Sequence, residues 1–192
     1  MRWWNPRNDP GETPFSLVVP PWAQRAPAGS TSFTREKGVF LMTGAKTAVE
    51  WLASVAPDPE ACRWEWERNP LGVALLPAGS AWDVLILPGE LGYATLDVLS
   101  RVLDQPGPVL VDFGDERMGF FVPPGTAARW LGTGIRTAGA GTWIVVPYPG
   151  RSSPGGVRWL VPPDGSGLLT DPALLELAMH EAAAGLASPS GD

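Results

Sequence analysis

The stretch that decides the fold is Asp58–Pro88, which reads DPEACRWEWERNPLGVALLPAGSAWDVLILP. Asp58 followed by Pro59 predicts a helix start, because aspartate caps free N–H groups and proline lacks an N–H that the first turn leaves unbonded. An Asn-Pro pair ends that helix. Two apolar runs, 72–76 and 83–87, predict strands on either side of a Pro-Ala-Gly-Ser turn.

Beyond this stretch, short apolar runs alternate with helical periodicities and with Pro- or Gly-rich turns. Leu96, Leu99 and Leu103, for example, recur at the spacing of one helix face. Strands interleaved with helices around a central hairpin predict an α+β domain, with a mixed or antiparallel sheet and helices mainly on one face. The predicted elements are a turn at 89–92, a helix over 95–104, a hairpin of 109–113 and 118–122, a helix over 126–131, strands at 142–146 and 157–161, and a helix over 172–184 that Gly185 ends.

The chain has 192 residues, which is enough for one domain with a substantial core and too short for two. Residues 1–34 predict an irregular N-terminal arm that is rich in tryptophan and proline. Residues 35–185 predict a single domain, and residues 186–192 predict a polar, disordered tail. Tryptophan is frequent at interface hot spots, so the arm is also a candidate segment for binding a protein partner.

The net charge of −6 and the pI of about 4.8 argue against a protein whose main role is to grip a nucleic-acid backbone. Cys62 is the only cysteine, which excludes an internal disulfide and a cysteine-based zinc cage, and its helix position predicts a core residue. The sequence shows no signal peptide and no apolar run of about 18–20 residues. We therefore expect a cytoplasmic protein that makes no membrane contact.

The order of elements in Asp58–Pro88 resembles the N-terminal domain family of bifunctional DNA primase/polymerases (Prim-Pol), in the archaeo-eukaryotic primase superfamily. Members share a helix that begins Asp-Pro and carries tryptophan, an Asn-Pro break, a short apolar strand, a Gly-containing turn and a catalytic strand. The resemblance covers roughly residues 57–149. It implies an RRM-like core with a split β-α-β unit, and it implies nucleotidyl transfer with Mg²⁺ or Mn²⁺ in active members.

The catalytic strand of the family ends in two acids separated by one residue. Residues two apart on a strand share a face, so both carboxylates can hold the metal pair that phosphoryl transfer uses. Ile86 and Pro88 stand at these two positions here. Asp83 is the residual acid near this strand, but it lies at the opposite end, and an ordinary strand-edge residue is the alternative interpretation.

Two further motifs of the family are partly retained. Its Arg-His motif, whose histidine contacts nucleotide phosphates, corresponds to Arg117 followed by Met118. In its third motif Arg136 is retained, whereas Gly134 replaces the third metal-binding acid. The resemblance thus implies that Arg117 and Arg136 are candidate phosphate-binding residues, and a structural salt bridge is the alternative for each.

These replacements predict a Prim-Pol-like protein that is catalytically inactive and serves as a binding module for a nucleotide, a nucleic acid or a protein. No cofactor is expected. Mg²⁺ or Mn²⁺ is expected only if activity persists. One alternative is a protein-interaction or regulatory domain with no nucleotide function. The other is an active nucleotidyltransferase with rearranged acids, for which the candidates are Asp83, Asp112, Asp115 and Glu116.

Overall fold

The computed structural model describes residues 47–68, 72–112, 114, 116–130, 134–150 and 156–187, which all belong to one compact unit, Phe33–Asp192. The predicted arm and the last five residues of the predicted tail lie outside the described residues. The helices are α1 (47–53), α2 (Pro59–Arg68), α3 (Gly89–Val102), α4 (Thr126–Arg129) and α5 (Pro172–Ala187). The strands are β1 (Val73–Pro77), β2 (Asp83–Pro88), β3 (Val109–Val111), β4 (Arg117–Val122), β5 (Arg136–Ala138), β6 (Trp143–Pro147) and β7 (Arg158–Val161).

Five strands form an antiparallel sheet in the order β5-β2-β4-β3-β7. β2 and β3 each pair antiparallel with β4, so they run in the same direction on either side of it. Because α3 connects β2 to β3, these elements form a split β-α-β unit. Elsewhere in the described ranges, β1 and β6 pair in a separate two-stranded sheet, here called the ribbon. The predicted α+β class and the antiparallel pairing are confirmed.

The five-stranded sheet is covered on both faces. On one face, here called the helical face, Leu85 of β2 packs in a cluster with Leu99 of α3 and Leu175 of α5. On the other, here called the ribbon face, Val84 of β2 packs in a cluster with Leu52 of α1, with α2 and with the ribbon. The prediction that helices lie mainly on one face is therefore wrong for α1 and α2. The physical reason is that β2 is apolar on both sides and needs cover on both.

Two tryptophans tie the ribbon to the rest of the unit. The Nε1–H of Trp66, on α2, donates to the carbonyl oxygen of Val146 at 2.9 Å. The Nε1–H of Trp159, on β7, donates to the carbonyl oxygen of Pro147 at 2.9 Å. Since both indole rings are also packed in the ribbon-face cluster, each combines apolar burial with one satisfied hydrogen bond.

Each strand of the ribbon ends in a proline, Pro77 on β1 and Pro147 on β6. The bond from the N–H of Ala78 to the carbonyl oxygen of Thr142 places the hydrogen-bonded pairs at even-numbered positions. Residues at odd-numbered positions therefore turn their backbone N–H away from the partner strand. Both prolines occupy such positions, where the absence of an N–H leaves no bond of the ladder unmade.

The helix starts and ends were predicted with mixed success. The capping role of Asp58 is confirmed, because its Oδ1 accepts from the backbone N–H groups of Glu60 at 3.0 Å and Ala61 at 2.9 Å. The turn predicted at 89–92 is wrong, since α3 begins at Gly89 directly after β2. Gly92 serves packing instead: a Cβ there would lie 2.7 Å from the sulfur of Met118.

α5 continues through Gly185 to Ala187, so the predicted end of this helix at about residue 184, and the tail starting at 186, are wrong. Alanine has the highest helix propensity, and the alanines on either side of Gly185 offset the preference of glycine for other conformations. With 16 residues, α5 is the longest helix in the described ranges. None of the helices that the structure describes is long and apolar enough to cross a membrane.

Candidate functional site

The candidate site lies at the end of β2, where the resemblance places two metal-binding acids. Ile86 and Pro88 occupy these positions, and both project from the ribbon face because they are two residues apart. Ile86 pairs with Arg136 of β5, and Pro88 pairs with Arg117 of β4. Residues directly opposite one another share a face. The two predicted arginines therefore project from the same face as Ile86 and Pro88, one on each side of β2.

The two arginines are close enough to contact one extended anion. Their strands flank β2, and their partners on β2 are two residues apart, so their Cα atoms are about 12 Å from each other. Arg136 is exposed and Arg117 is half-buried. Within the described part of the chain, neither guanidinium forms an ion pair. The structural salt bridge that was the alternative for each arginine is therefore not found among these residues.

Asp112 is hydrogen-bonded to the backbone of Arg117. Its Oδ1 accepts from the backbone N–H of Arg117 at 2.9 Å, and its own N–H donates to the carbonyl oxygen of Arg117 at 3.0 Å. Burial raises the pKa of the Asp112 carboxyl, against the lowering effects of that N–H and of the Arg117 charge. The pair closes the β3–β4 hairpin and fixes the backbone of Arg117. Antiparallel hairpin pairing was the sequence signal that would have placed Asp112 here.

Asp83 lies at the start of β2, away from the two arginines, and its side chain is only 1% exposed. Its Oδ2 accepts from the backbone N–H of Ala127 at 2.8 Å, in the first turn of α4. Its Oδ1 is buried without a hydrogen-bond partner among the described residues, and Gly139 lies beside it. Enclosed in this way, the carboxylate holds α4 against the sheet and faces no solvent-filled site.

Two substitutions of Asp83 test whether its side chain stabilises the protein by accepting the hydrogen bond from Ala127. Asp83→Ala is expected to lower the free energy of unfolding by about 1–3 kcal/mol, because the N–H of Ala127 loses its acceptor. Asp83→Asn is expected to lower it less than Asp83→Ala does, because the amide oxygen can still accept from the N–H of Ala127. Urea unfolding followed by circular dichroism measures both, and equal losses in the two variants would contradict the capping role.

The other motif positions do not converge on the arginines. Met118 is fully buried on the helical face, next to Gly92, so a histidine at this position would face away from Arg117 and Arg136. Gly134 is exposed and has a φ of +75°, which favours glycine over an acid. The arginines therefore share a face with the two strand-end positions, but not with the expected histidine position.

Two reactive residue types lie elsewhere. Cys62 is buried in α2, and burial, followed by the charge of Glu65, raises the pKa of its thiol to about 11, which suppresses the thiolate. His180 is exposed on α5, with its Nε2 4.0 Å from the Oε1 of Glu176. The position of Cys62 agrees with its predicted role as a core residue, and His180 lies on the surface of its helix.

The rearranged acids do not form one cluster. Asp83 is enclosed at one end of β2, whereas Asp112 and the exposed Glu116 lie near the other end, and Asp115 lies outside the described residues. Among the residues that the structure describes, no group of three or more His, Cys, Asp or Glu side chains is placed to hold a metal ion. The described part of the chain thus gives the rearranged-acid hypothesis no common site.

No protein-family model, curated protein or solved structure matches this chain. The relation to primase-polymerases therefore stays a prediction from the motifs, and function has to be argued from the geometry.

Proposed function

We propose that this protein is a catalytically inactive, primase-polymerase-like domain that binds the phosphate groups of a nucleotide or a nucleic acid through Arg117 and Arg136. The observation that carries the proposal is their shared face. Both side chains project beside the end of β2, and neither forms an ion pair in the described ranges. Guanidinium groups bind phosphate oxygens in a planar, two-bond geometry, which suits such a site.

Loss of catalysis follows from the residues at the strand end. Two-metal phosphoryl transfer needs oxygen ligands that bridge the metals to the reacting phosphate. Ile86 and Pro88 offer no side-chain oxygen, and the Asp83 carboxylate is enclosed in the protein. We therefore expect phosphate binding that does not require Mg²⁺ or Mn²⁺.

The charge balance favours a small ligand over a long nucleic acid. The whole chain carries a net charge of −6, and Asp112 lies beside Arg117. A long polyanion is disfavoured by the negative charge of the whole chain, whereas a triphosphate can stay within reach of the two arginines. Nucleotide binding is accordingly the stronger form of this proposal, and nucleic-acid binding is the weaker one.

Calorimetric titration with ATP tests the site. Wild-type protein is expected to bind with and without Mg²⁺. Arg117→Ala and Arg136→Ala are each expected to weaken binding by about 10- to 150-fold, since a hydrogen bond to a charged group contributes about 1.5–3 kcal/mol. Arg101→Ala is the matched control, because Arg101 lies on α3 and pairs with Asp97 and Glu181. Its affinity for ATP should equal that of the wild type.

Three further titrants identify the ligand. Adenosine, which lacks phosphate, should not bind, and inorganic triphosphate should bind through the same two arginines. A short single-stranded oligothymidylate reports nucleic-acid binding. If ATP, triphosphate and oligothymidylate all fail to bind, the phosphate site is overturned and a protein-interaction domain is favoured. The observation that supports this second function is the set of exposed apolar residues on the ribbon and on α5.

A further inference from the structure

α5 has an unusual solvent-facing side. Leu175, Ala178 and Ala182 point into the core of the helical face. On its outer side, Leu177 is 66% exposed and Leu174 is 39% exposed. A surface helix of a globular domain normally carries polar residues there, and a helix that is apolar all round is normally covered.

The exposed apolar residues of α5 are neighbours. Ala173 and Leu177 are four residues apart, and Leu174 and Leu177 are three apart, so their side chains meet on one side of the helix. Ala173 is exposed as well. These three residues form one strip along the first half of α5, here called the α5 strip.

The charges around the α5 strip are acidic. α5 carries Glu176 and Glu181 and contains no lysine or arginine. From α3, Asp97 adds a third exposed carboxylate. Arg101 lies 3.0 Å from Glu181 and 3.7 Å from Asp97, and the imidazole of His180, on α5 itself, lies 4.0 Å from Glu176. Three carboxylates outnumber one guanidinium and one imidazole, so the rim of the strip is negative.

We propose that the α5 strip is a docking surface for a basic amphipathic helix of a partner protein. Such a helix would set its leucine-type side chains on Leu174 and Leu177 and its lysines or arginines against Glu176, Glu181 and Asp97. A second copy of this chain fits less well, because two such rims would bring mainly carboxylates together. An anionic lipid surface is repelled for the same reason.

The α5 strip is independent of the phosphate site. α5 and α3 cover the helical face of the sheet, whereas Arg117 and Arg136 project from the ribbon face. Substitutions in one site should therefore leave the other functional, so that failure of one proposal can be distinguished from failure of the other.

The test uses the full chain and a synthetic helical peptide with leucines on one side and lysines on both flanks. Fluorescence anisotropy of the labelled peptide measures the affinity. Leu174→Ser/Leu177→Ser is expected to weaken binding by about tenfold or more, because the apolar contact is lost. Glu176→Lys should weaken it further at low salt. A peptide with glutamates in place of the lysines should not bind.

The control for general charge attraction is Glu67→Lys, the same substitution at an exposed position on α2. It should leave peptide affinity unchanged, and the doubly substituted Arg117→Ala/Arg136→Ala protein should also bind as the wild type does. Equal weakening by Glu67→Lys and Glu176→Lys, or full binding by the serine variant, would overturn the docking surface. So would wild-type self-association that the serine variant loses in sedimentation velocity, because the strip would then bind a second copy.

Discussion

Replacing Trp66 with alanine is expected to lower the free energy of unfolding by about 3–5 kcal/mol. Trp66 is fully buried, and it is one of the two tryptophans whose indole N–H bonds hold the ribbon. Its ring also packs edge-to-face with that of Tyr148, with centroids 6.1 Å apart. Truncation therefore opens a large cavity and leaves a carbonyl oxygen of β6 without this donor. Urea unfolding followed by circular dichroism measures the loss.

The same helix supplies the control. Trp64 is 56% exposed and stacks with Arg68, whose Cζ lies 5.1 Å from the ring centroid. Trp64→Ala is expected to change the free energy of unfolding by less than about 1 kcal/mol. If Trp66→Ala fails to fold, Trp66→Phe keeps most of the apolar contact and should still be less stable than Trp64→Ala. Equal stability of the Trp64 and Trp66 variants would contradict this account of α2.

Replacing Gly79 with alanine is expected to lower the free energy of unfolding by about 2–5 kcal/mol. Its φ of +100° is unfavourable for an L-residue, by about 1–2 kcal/mol. A Cβ at this position would also lie 2.4 Å from the backbone N and Cα of Ala140. The shifts that relieve such an overlap typically lower the free energy of unfolding by a further amount of about 1–3 kcal/mol. The turn between β1 and β2 cannot approach the turn before β6 so closely with any other residue.

Gly141 separates the two contributions to this effect. Its φ is +83°, but among the described residues no atom other than those of its chain neighbours lies within 4 Å of a Cβ placed there. Gly141→Ala should therefore lose only the backbone contribution, about 1–2 kcal/mol. Chemical denaturation curves of the two variants give the comparison, and an equal loss in both would show that close approach at Gly79 has no energetic effect.

Local signals in the sequence predicted many elements of the fold. Asp58 caps α2, and its Asp-Pro signal could be recognised because an N-cap acts within a few residues. The apolar runs of β1 and β2 and the periodicity of α3 are likewise local. β5 was missed, because Arg136–Ala138 is only three residues long and shows no apolar alternation. Its place beside β2 comes from tertiary pairing.

The candidate site was predictable in residue type but not in geometry. The motifs of the resemblance single out Arg117 and Arg136, but only the register of β2 with β4 and β5 shows that they share a face. Asp83 accepts a hydrogen bond from Ala127, 44 residues away, and no local pattern announces a contact at that separation. Successive residues of a strand face opposite sides of the sheet, which is why Met118 faces away from its neighbour Arg117.

The prolines that end the ribbon strands also bear on how molecules of this protein meet in a concentrated solution. The pairing of VALLP with WIVVP makes an apolar two-stranded sheet, and an exposed edge of such a sheet can pair with a foreign strand. Pro77 and Pro147 have no N–H, so neither can donate a hydrogen bond to an incoming strand. Proline at these two positions therefore disfavours edge-to-edge association between molecules.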